Sequence, residues 1–521
     1  MQTTYGRRTI YSTVKENDLN EETIKTILTQ AIPIHMQNKK ETRDLYRYYL
    51  GKQDILDRKK YTREDIKNVA VENLAYSFVN FKKGYNFGKP IQYVQNADID
   101  SEEIIKLNEY FKYENKHAKD FMLSEDIYIC GRGFRYNAPD INEFDKDVDE
   151  APFTLANIDK DKCEVIYSDD ILKKQLLSFV EDKFEDTPIE VTTSKGKIIQ
   201  RQFYYIYNVY TKDAMYKYKV KNIDDLQMEV SKDNIEFMNK TELYPQFHRI
   251  VEHYFNKSRI SLIEIGKTLF DEVNNLNSLD MDDVEQFVNA IMVFTNAEIN
   301  EQEIEDIKKL GAVNIASSDN KPAKVEILNQ EIQAEKTQVL YDRLKDALHS
   351  LFGIPLASDA GNPVSGDTGS AKESGQGWTM ANQKSVEDEI MFEMCDKEVL
   401  KNILVVCKAI DESGIKNLRA SDIKEKFQKN KNDNMLVKTQ ALMNMKSAQI
   451  HPQYAMAVVD LFSDSEKVYS DSKSYYGEDK FWLDDSNDKS VETDENPSET
   501  DDTREQNNKI QDTMENQIQN K

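Results

Sequence analysis

Apolar positions along this chain follow two rhythms, and the rhythm changes twice. Between about residues 21 and 124 they step mostly by three or four, the spacing that gathers them on one side of a helix. Val69, Leu74, Phe78 and Phe81 predict a helix over Asn68–Phe81, followed by Lys82-Lys83-Gly84 and Phe87-Gly88-Lys89-Pro90, a firm stop because glycine and proline break helices. A second helix is predicted from about Ser101 to Asp126. From about Ile127 to Phe255 the pattern turns alternating or continuously apolar. Tyr128–Tyr136, Cys163–Tyr167, Leu176–Val180, Arg201–Tyr210 and Met215–Val220 read as strands of a β-rich lobe, with tyrosines on a half-buried face.

The helical rhythm then returns. A helix is predicted over 261–292, with Leu262, Ile265, Leu269, Val273, Leu276, Val284, Phe287 and Ile291 on one side. As one rod it spans roughly 45 Å at 1.5 Å per residue. Its other side is acidic and amide-rich: Asp271, Glu272, Asn274, Asn275, Asp282 and Asp283. Residues 293–330 hold a small α/β insert, with a helix at Asn300–Leu310 and strands at Ala312–Ala316 and Ala323–Leu328. Further helices are predicted at 331–352, around Leu340, Leu344 and Leu348, and at 378–410, around Val386, Ile390, Met394, Val399, Ile403 and Val406. Residues 411–462 read as mostly helical. Residues 1–20 read as a loose arm, and 471–521, acidic and nearly free of apolar residues, as a disordered tail. The fold class is therefore α+β, mainly helical, and no internal repeat is visible.

Composition narrows the function. The chain has 521 residues, a formal net charge of -25, 39% hydrophobic residues and 31% charged ones. That balance favours a multi-lobed shape or one completed by neighbouring subunits. It argues against tight, static DNA binding, which needs cations on the phosphates, but not against DNA passing nearby. Cys130, Cys163, Cys395 and Cys407 have no CxxC spacing and imply a reduced compartment. No signal peptide or run long enough to cross a membrane is evident, so synthesis in a cytoplasm is expected.

The most informative local feature is a glycine-rich loop between two helical stretches, residues 353–377, carrying Gly353, Gly361, Gly366, Gly369, Gly375 and Gly377. A long loop in a compact region is usually functional or disordered. Nucleotide binding fits it poorly. Gly361 and Gly366 have P-loop spacing, but Asp367-Thr368 stand where Lys-Ser/Thr is needed. His248, Glu252 and His253 lack HExxH spacing and read as ordinary histidines. Asp280, Asp282, Asp283 and Glu285 read as a solvated or channel-lining face, with a structural divalent cation left open. Lys39-Lys40 with Arg43, and Lys82-Lys83, read as solvated faces. No catalytic constellation is identifiable, and no other cofactor is implied.

Several segments together resemble the portal proteins of tailed bacteriophages, in the branch common in siphophages of Gram-positive hosts. Tyr46–Lys52 with Asp54-Ile55-Leu56 is similar to that family's YYxGKxxIL segment. Asn73-Leu74-Ala75 through Gly84–Ile91 is similar to its N-x-A…GY-x-x-GKPI stretch. Ile127–Phe134, Phe270–Ala290, Leu351–Pro355 and Gly366–Ala371 resemble further segments in the same order. The loop departs from the family's commoner SG-x-A-x-K-Y/F-K, and Lys372 and Trp378 stand as substitutes for its basic and aromatic residues.

The resemblance implies a wing (21–260, with its β-rich lobe at 127–255), stem helices (261–292 and 331–352), a clip (293–330), a tunnel loop (353–377), a wing helix (378–410) and a helical crown (411–470). It implies a homo-oligomeric ring, usually of twelve subunits, at one capsid vertex of the virion, with double-stranded DNA passing through its channel. The implied loop positions near DNA are Asn362, Ser365, Asp367, Thr368, Ser370 and Lys372. The implied clip positions for docking the terminase large subunit and the head–tail adaptor are Glu301, Glu303, Glu305, Asp306, Lys308 and Lys309. Scaffold and major capsid protein are the remaining implied partners; no enzymatic activity and no membrane are implied.

Overall fold

In a computed structural model, the first long helix, α1 (Glu21–Tyr49), begins on a reciprocal cap. The Asn20 side chain accepts the N–H groups of Glu22 and Thr23, and the Thr23 hydroxyl accepts the N–H of Asn20. This satisfies donors that every helix start leaves unpaired. Ile24, Ile27, Leu28, Ala31 and Ile32 on one side of α1 are fully buried against a six-stranded sheet. Its strands are β1 (Ile10–Ser12), β5 (Cys163–Ser168), β6 (Gln175–Thr193), β7 (Gly196–Tyr210), β8 (Ala214–Lys221) and β9 (Ile235–Glu242), in that order. β1 joins β5 in parallel and the other neighbours are antiparallel. Strand periodicity is visible in β8, where Ala214, Tyr216, Tyr218 and Val220 are buried while Met215, Lys217, Lys219 and Lys221 face partly outward.

The structure describes residues 6–60, 66–95, 102–140, 151–193, 196–221, 230–288, 291–295, 324–328, 334–355, 378–429, 435–459 and 465–476. They fall in two units, 1–432 and 433–521.

A second core of the larger unit joins α2 (Leu74–Phe87), α3 (Glu102–Tyr113), α4 (Lys116–Cys130), α5 (Leu262–Val288), α6 (Ala334–Phe352) and α7 (Trp378–Ala409) to a sheet ordered β10-β3-β4. These strands are Ile250–His253, Gly133–Pro139 and Phe153–Ile158. The smaller unit holds α8 (Met435–Ser447), α9 (Pro452–Val459) and α10 (Ser465–Tyr476), with Ala455, Met456 and Val459 buried.

Several expectations change. Residues 6–20 are not loose: β1 is an edge strand, Ile10 is buried, and buried Arg7 pairs with Glu41 and Glu264. The helix expected from Asn68 begins at Leu74, where Asn73 caps it. The single helix expected over Ser101–Asp126 is two, because Asn115 at φ 51 turns the chain between α3 and α4. Asparagine is one of the few residues that visits this left-handed region readily. The expected strand Tyr128–Tyr136 is helical through Cys130. Gly131, at φ 83, ends α4, and a Cβ there would lie 2.0 Å from the Arg259 carbonyl oxygen. A short apolar run fits helix and strand equally well, and here remote partners decide: Tyr128 packs 4.5 Å from Phe255 and its hydroxyl donates to Asp388 at 2.8 Å.

Residues 411–429 are mainly turns plus β13 (Ile423–Lys426), which pairs antiparallel with β2 (Gln92–Gln95). Asp471–Tyr476, expected in the disordered tail, continue α10. Lys39, Lys82 and Lys83 are buried, not solvated, and meet Glu181, Asp388 and Glu125 respectively.

A buried ionic layer ties α1 to the sheet. Glu164 accepts two 2.6 Å bonds from the Arg132 guanidinium and one of 3.0 Å from Asn38. Burial alone would raise its pKa, but Arg132, followed by His35, holds it at about 2. His35 lies between Glu164 and Glu181, at 3.5 and 3.6 Å. Burial favours the neutral ring, yet the two carboxylates outweigh it and raise the His35 pKa above 6.5. Stability from the protonated ring is therefore complete below pH 6.5 and lost as pH rises through the higher folded pKa. Urea midpoints of the wild-type chain should fall across that range, and His35→Gln should flatten the fall. An identical slope in the variant would mean that His35 is neutral in the folded chain.

Candidate functional site

Helices α5 and α6 pack together, and two long chain excursions begin at their ends. A capping box starts α5: the Glu264 N–H donates to the Ser261 hydroxyl at 3.0 Å, and the Ser261 N–H donates to the Glu264 carboxylate at 2.9 Å. Phe270 of α5 and Phe352 of α6 stack with centroids 6.1 Å apart, and Phe78 of α2 meets both rings edge-on at 5.8 and 5.7 Å. Gly266 permits this closeness, since a Cβ there would lie 2.9 Å from the Phe352 ring.

The polar side of α5, expected to be open, is largely consumed by the chain itself. Asn274, Ser278 and Asp282 accept the backbone N–H groups of Glu72, Ala70 and Asn68 at 2.8, 3.0 and 2.7 Å. Four helical residues advance about 6.0 Å and two extended residues about 6.6 Å. An extended strap running antiparallel to the helix therefore stays in step over three rungs. Arg58 and Lys60 also reach Asp282, at 3.0 and 2.9 Å. Burial opposes its charge, but the Asn68 N–H, Lys60 and Arg58 hold its carboxyl below the usual value. Asp271 accepts from the Tyr48 hydroxyl at 2.7 Å. Of the expected face, Glu272 and Asp283 remain exposed.

The first excursion leaves α5 sooner than expected. The helix ends at Val288, not Met292, and β11 (Ile291–Thr295) pairs antiparallel with β12 (Lys324–Leu328), from Ile291↔Leu328 to Thr295↔Lys324. Ile291 fits the helical pattern and the strand equally, so spacing alone mistook it. The insert's expected helix 300–310 and strand 312–316 lie outside the described residues, as do Glu301, Glu303, Glu305, Asp306, Lys308 and Lys309.

The second excursion leaves α6 through Gly353, at φ 63. The Ile354 N–H donates back to the His349 carbonyl at 2.9 Å. A Cβ on Gly353 would lie 3.0 Å from the Met380 carbonyl oxygen in the first turn of α7. Trp378, at the start of α7, packs 6.1 Å from Phe81 and 5.8 Å from Tyr85, so it is anchored on α2 where the chain returns. The chain thus departs and returns at neighbouring points. Asn362, Ser365, Asp367, Thr368, Ser370 and Lys372 lie outside the described residues. Gly353→Ala should lower unfolding stability by about 1–2 kcal/mol, the cost of a left-handed backbone for a residue with a Cβ. An unchanged thermal midpoint would show that the turn relaxes freely.

Other candidates resolve as packing. His253 is buried beside Asp396, and burial pushes its pKa down. Burial likewise pushes His248 down to about 4. Among the described residues no His, Cys, Asp or Glu group is arranged to hold a metal ion, and no helix is long and apolar enough to cross a membrane. The buried pairs and the strap were missed from sequence because their partners lie far away in the chain.

A family model described as phage portal protein, SPP1 Gp6-like, matches residues 28–479. No curated protein matches the chain.

Proposed function

Because the chain belongs to the phage portal protein family, we propose that it forms a ring at one capsid vertex through which the genome is packaged and ejected. In this reading α5 and α6 are the stem, residues 293–330 the clip, 353–377 the tunnel loop, and the helices after residue 433 part of the crown. Terminase and the head–tail adaptor dock on the clip, through Glu301, Glu303, Glu305, Asp306, Lys308 and Lys309. Scaffold and major capsid protein meet other surfaces of the ring. The protein acts as a conduit and carries no catalysis; hydrolysis of ATP belongs to the motor that docks on it.

The observation that carries this reading is the geometry at both ends of the helix pair. One end opens into an insert closed by β11 and β12. The other opens into a glycine-rich loop whose departure point abuts its return point. Repeated around an axis, such loops converge on whatever passes through the centre, and Lys372 becomes a ring of cations. The exposed side of α6 mixes Glu335, Asp342 and Asp346 with Lys336 and Arg343. A lining of balanced charge gives phosphates few strong contacts, so a duplex slides.

Native mass spectrometry and negative-stain imaging of the full chain test the reading. Rings of about a dozen subunits with an axial hole are expected. A compact dimer whose stability depends on nucleotide overturns it.

A further inference from the structure

Strand β13 is held to the larger unit by its pairing with β2, from Ile423↔Gln95 to Lys426↔Gln92, and by two buried side chains, Ile423 and Glu425. Among the described residues β2 and β13 pair only with each other. A two-stranded sheet is marginal in water, so the buried side chains decide whether β13 stays. One of them is a carboxyl. Glu425 is 5% exposed, and neither of its oxygens has a hydrogen-bond partner among the described residues.

The charges around Glu425 are already matched. Lys116, at the start of α4, donates to Asp120 at 2.9 Å and meets Asp396 of α7 at 3.0 Å. Arg135 of β3 also pairs with Asp120. Tyr93 of β2, directly opposite Glu425, donates its hydroxyl to Asp396 at 2.8 Å. Burial opposes the charge on Lys116, but Asp120 and Asp396 outweigh it and raise its pKa. Burial opposes the charge on Asp396 too, and Lys116 holds that carboxyl below the usual range. Buried His253 beside Asp396 is pushed toward its neutral form. The remaining group facing Glu425 is Glu393 of α7, which pairs with Lys397. Two buried cations thus serve two buried carboxylates, and Glu425 is a third with no cation of its own. Burial first, then Asp396, push its pKa well above the ordinary 4.5. A buried acid in that position keeps its proton rather than carry an unpaired charge.

Detached from β2, Glu425 stands in water as an ordinary carboxylate. Docking of β13 therefore takes up one proton from water, and release returns it. The stability gained from the neutral acid is complete below pH 4.5 and is lost as pH rises toward the raised pKa of the docked strand. β13 is also the last strand before the boundary between the two units, after Asn432.

We propose that β13 is a proton-operated latch on the chain leading into the second unit: neutral Glu425 closes it on β2, and loss of that proton releases it. The latch stands apart from the ring reading above and needs only the fold.

Hydrogen exchange of the full-length chain, followed by mass spectrometry from about pH 6 to about pH 9, tests it. Protection of peptides spanning Gln92–Gln95 and Ile423–Lys426, corrected for the intrinsic exchange rate, should fall about tenfold per pH unit, the linkage of one proton. Glu425→Gln keeps the shape of the neutral acid and cannot ionise, so its protection should stay level and exceed that of the wild type at the alkaline end. Glu425→Leu should also be level, which keeps the test open if the glutamine chain folds poorly. A level profile in the wild type overturns the proposal. So does a wild-type slope that persists in either variant, because another group would then carry the proton. Loss of protection in the wild type that spreads equally over Ala214–Lys221 in β8 overturns it as well, since the event would be unfolding of the unit rather than release of one strand.

Discussion

Arg132→Met is expected to lower the unfolding free energy of the larger unit by about 3–5 kcal/mol, the usual cost of removing one partner from a buried ion pair. Arg132 and Glu164 are 3% and 1% exposed, and the guanidinium holds both carboxylate oxygens at 2.6 Å. Removal leaves Glu164 with Asn38 and His35 as its remaining partners, and an under-compensated buried charge is far costlier than a missing pair. Arg132→Met combined with Glu164→Leu should therefore recover most of the loss. Urea titrations of both variants measure the difference. Equal destabilisation by the single and double changes would mean that the pair matters through packing rather than charge.

The second large effect is expected at Asp282. Its carboxylate is 2% exposed and is held by Arg58, Lys60 and the Asn68 N–H. Asp282→Ala removes two ion pairs and the side-chain acceptor of one backbone N–H, a loss of about 3 kcal/mol at charge-assisted strengths. The strap over residues 66–73 should then open locally, which native-state hydrogen exchange detects. Exchange at Asn68, Ala70 and Glu72 should quicken by about a hundredfold, since about 1.4 kcal/mol corresponds to each factor of ten. Asp282→Asn keeps an acceptor for the Asn68 N–H but loses the charge, so its effect should be intermediate. Unchanged exchange in the alanine variant would show that Asn274 and Ser278 suffice to hold the strap. The same strap reaches α6 through the Tyr341 hydroxyl, which donates to Glu72. Loosening it should also free α5 and α6 to shift where the insert and loop begin.

The local rules of the chain made much of this legible in advance. Alternation along Met215–Val220 and helical spacing along Trp378–Ile410 identified β8 and α7, because each pattern matches only one backbone period. The order of helix, strand-bearing insert and helix was also readable, since it depends on neighbours in sequence. By itself, then, the sequence determined the kind of each strongly periodic element, the order of those elements and the family. Tertiary structure alone decided which polar residues are free. Asp282 and Asp283 are adjacent in sequence, yet one is buried under three donors and the other is exposed. Lys39 resembles any solvated lysine until Glu181 arrives from a strand far along the chain. Tyr128–Cys130 fit a strand until their side chains found a helical core. In each case the deciding energy comes from a partner remote in sequence, and local periodicity carries no information about it.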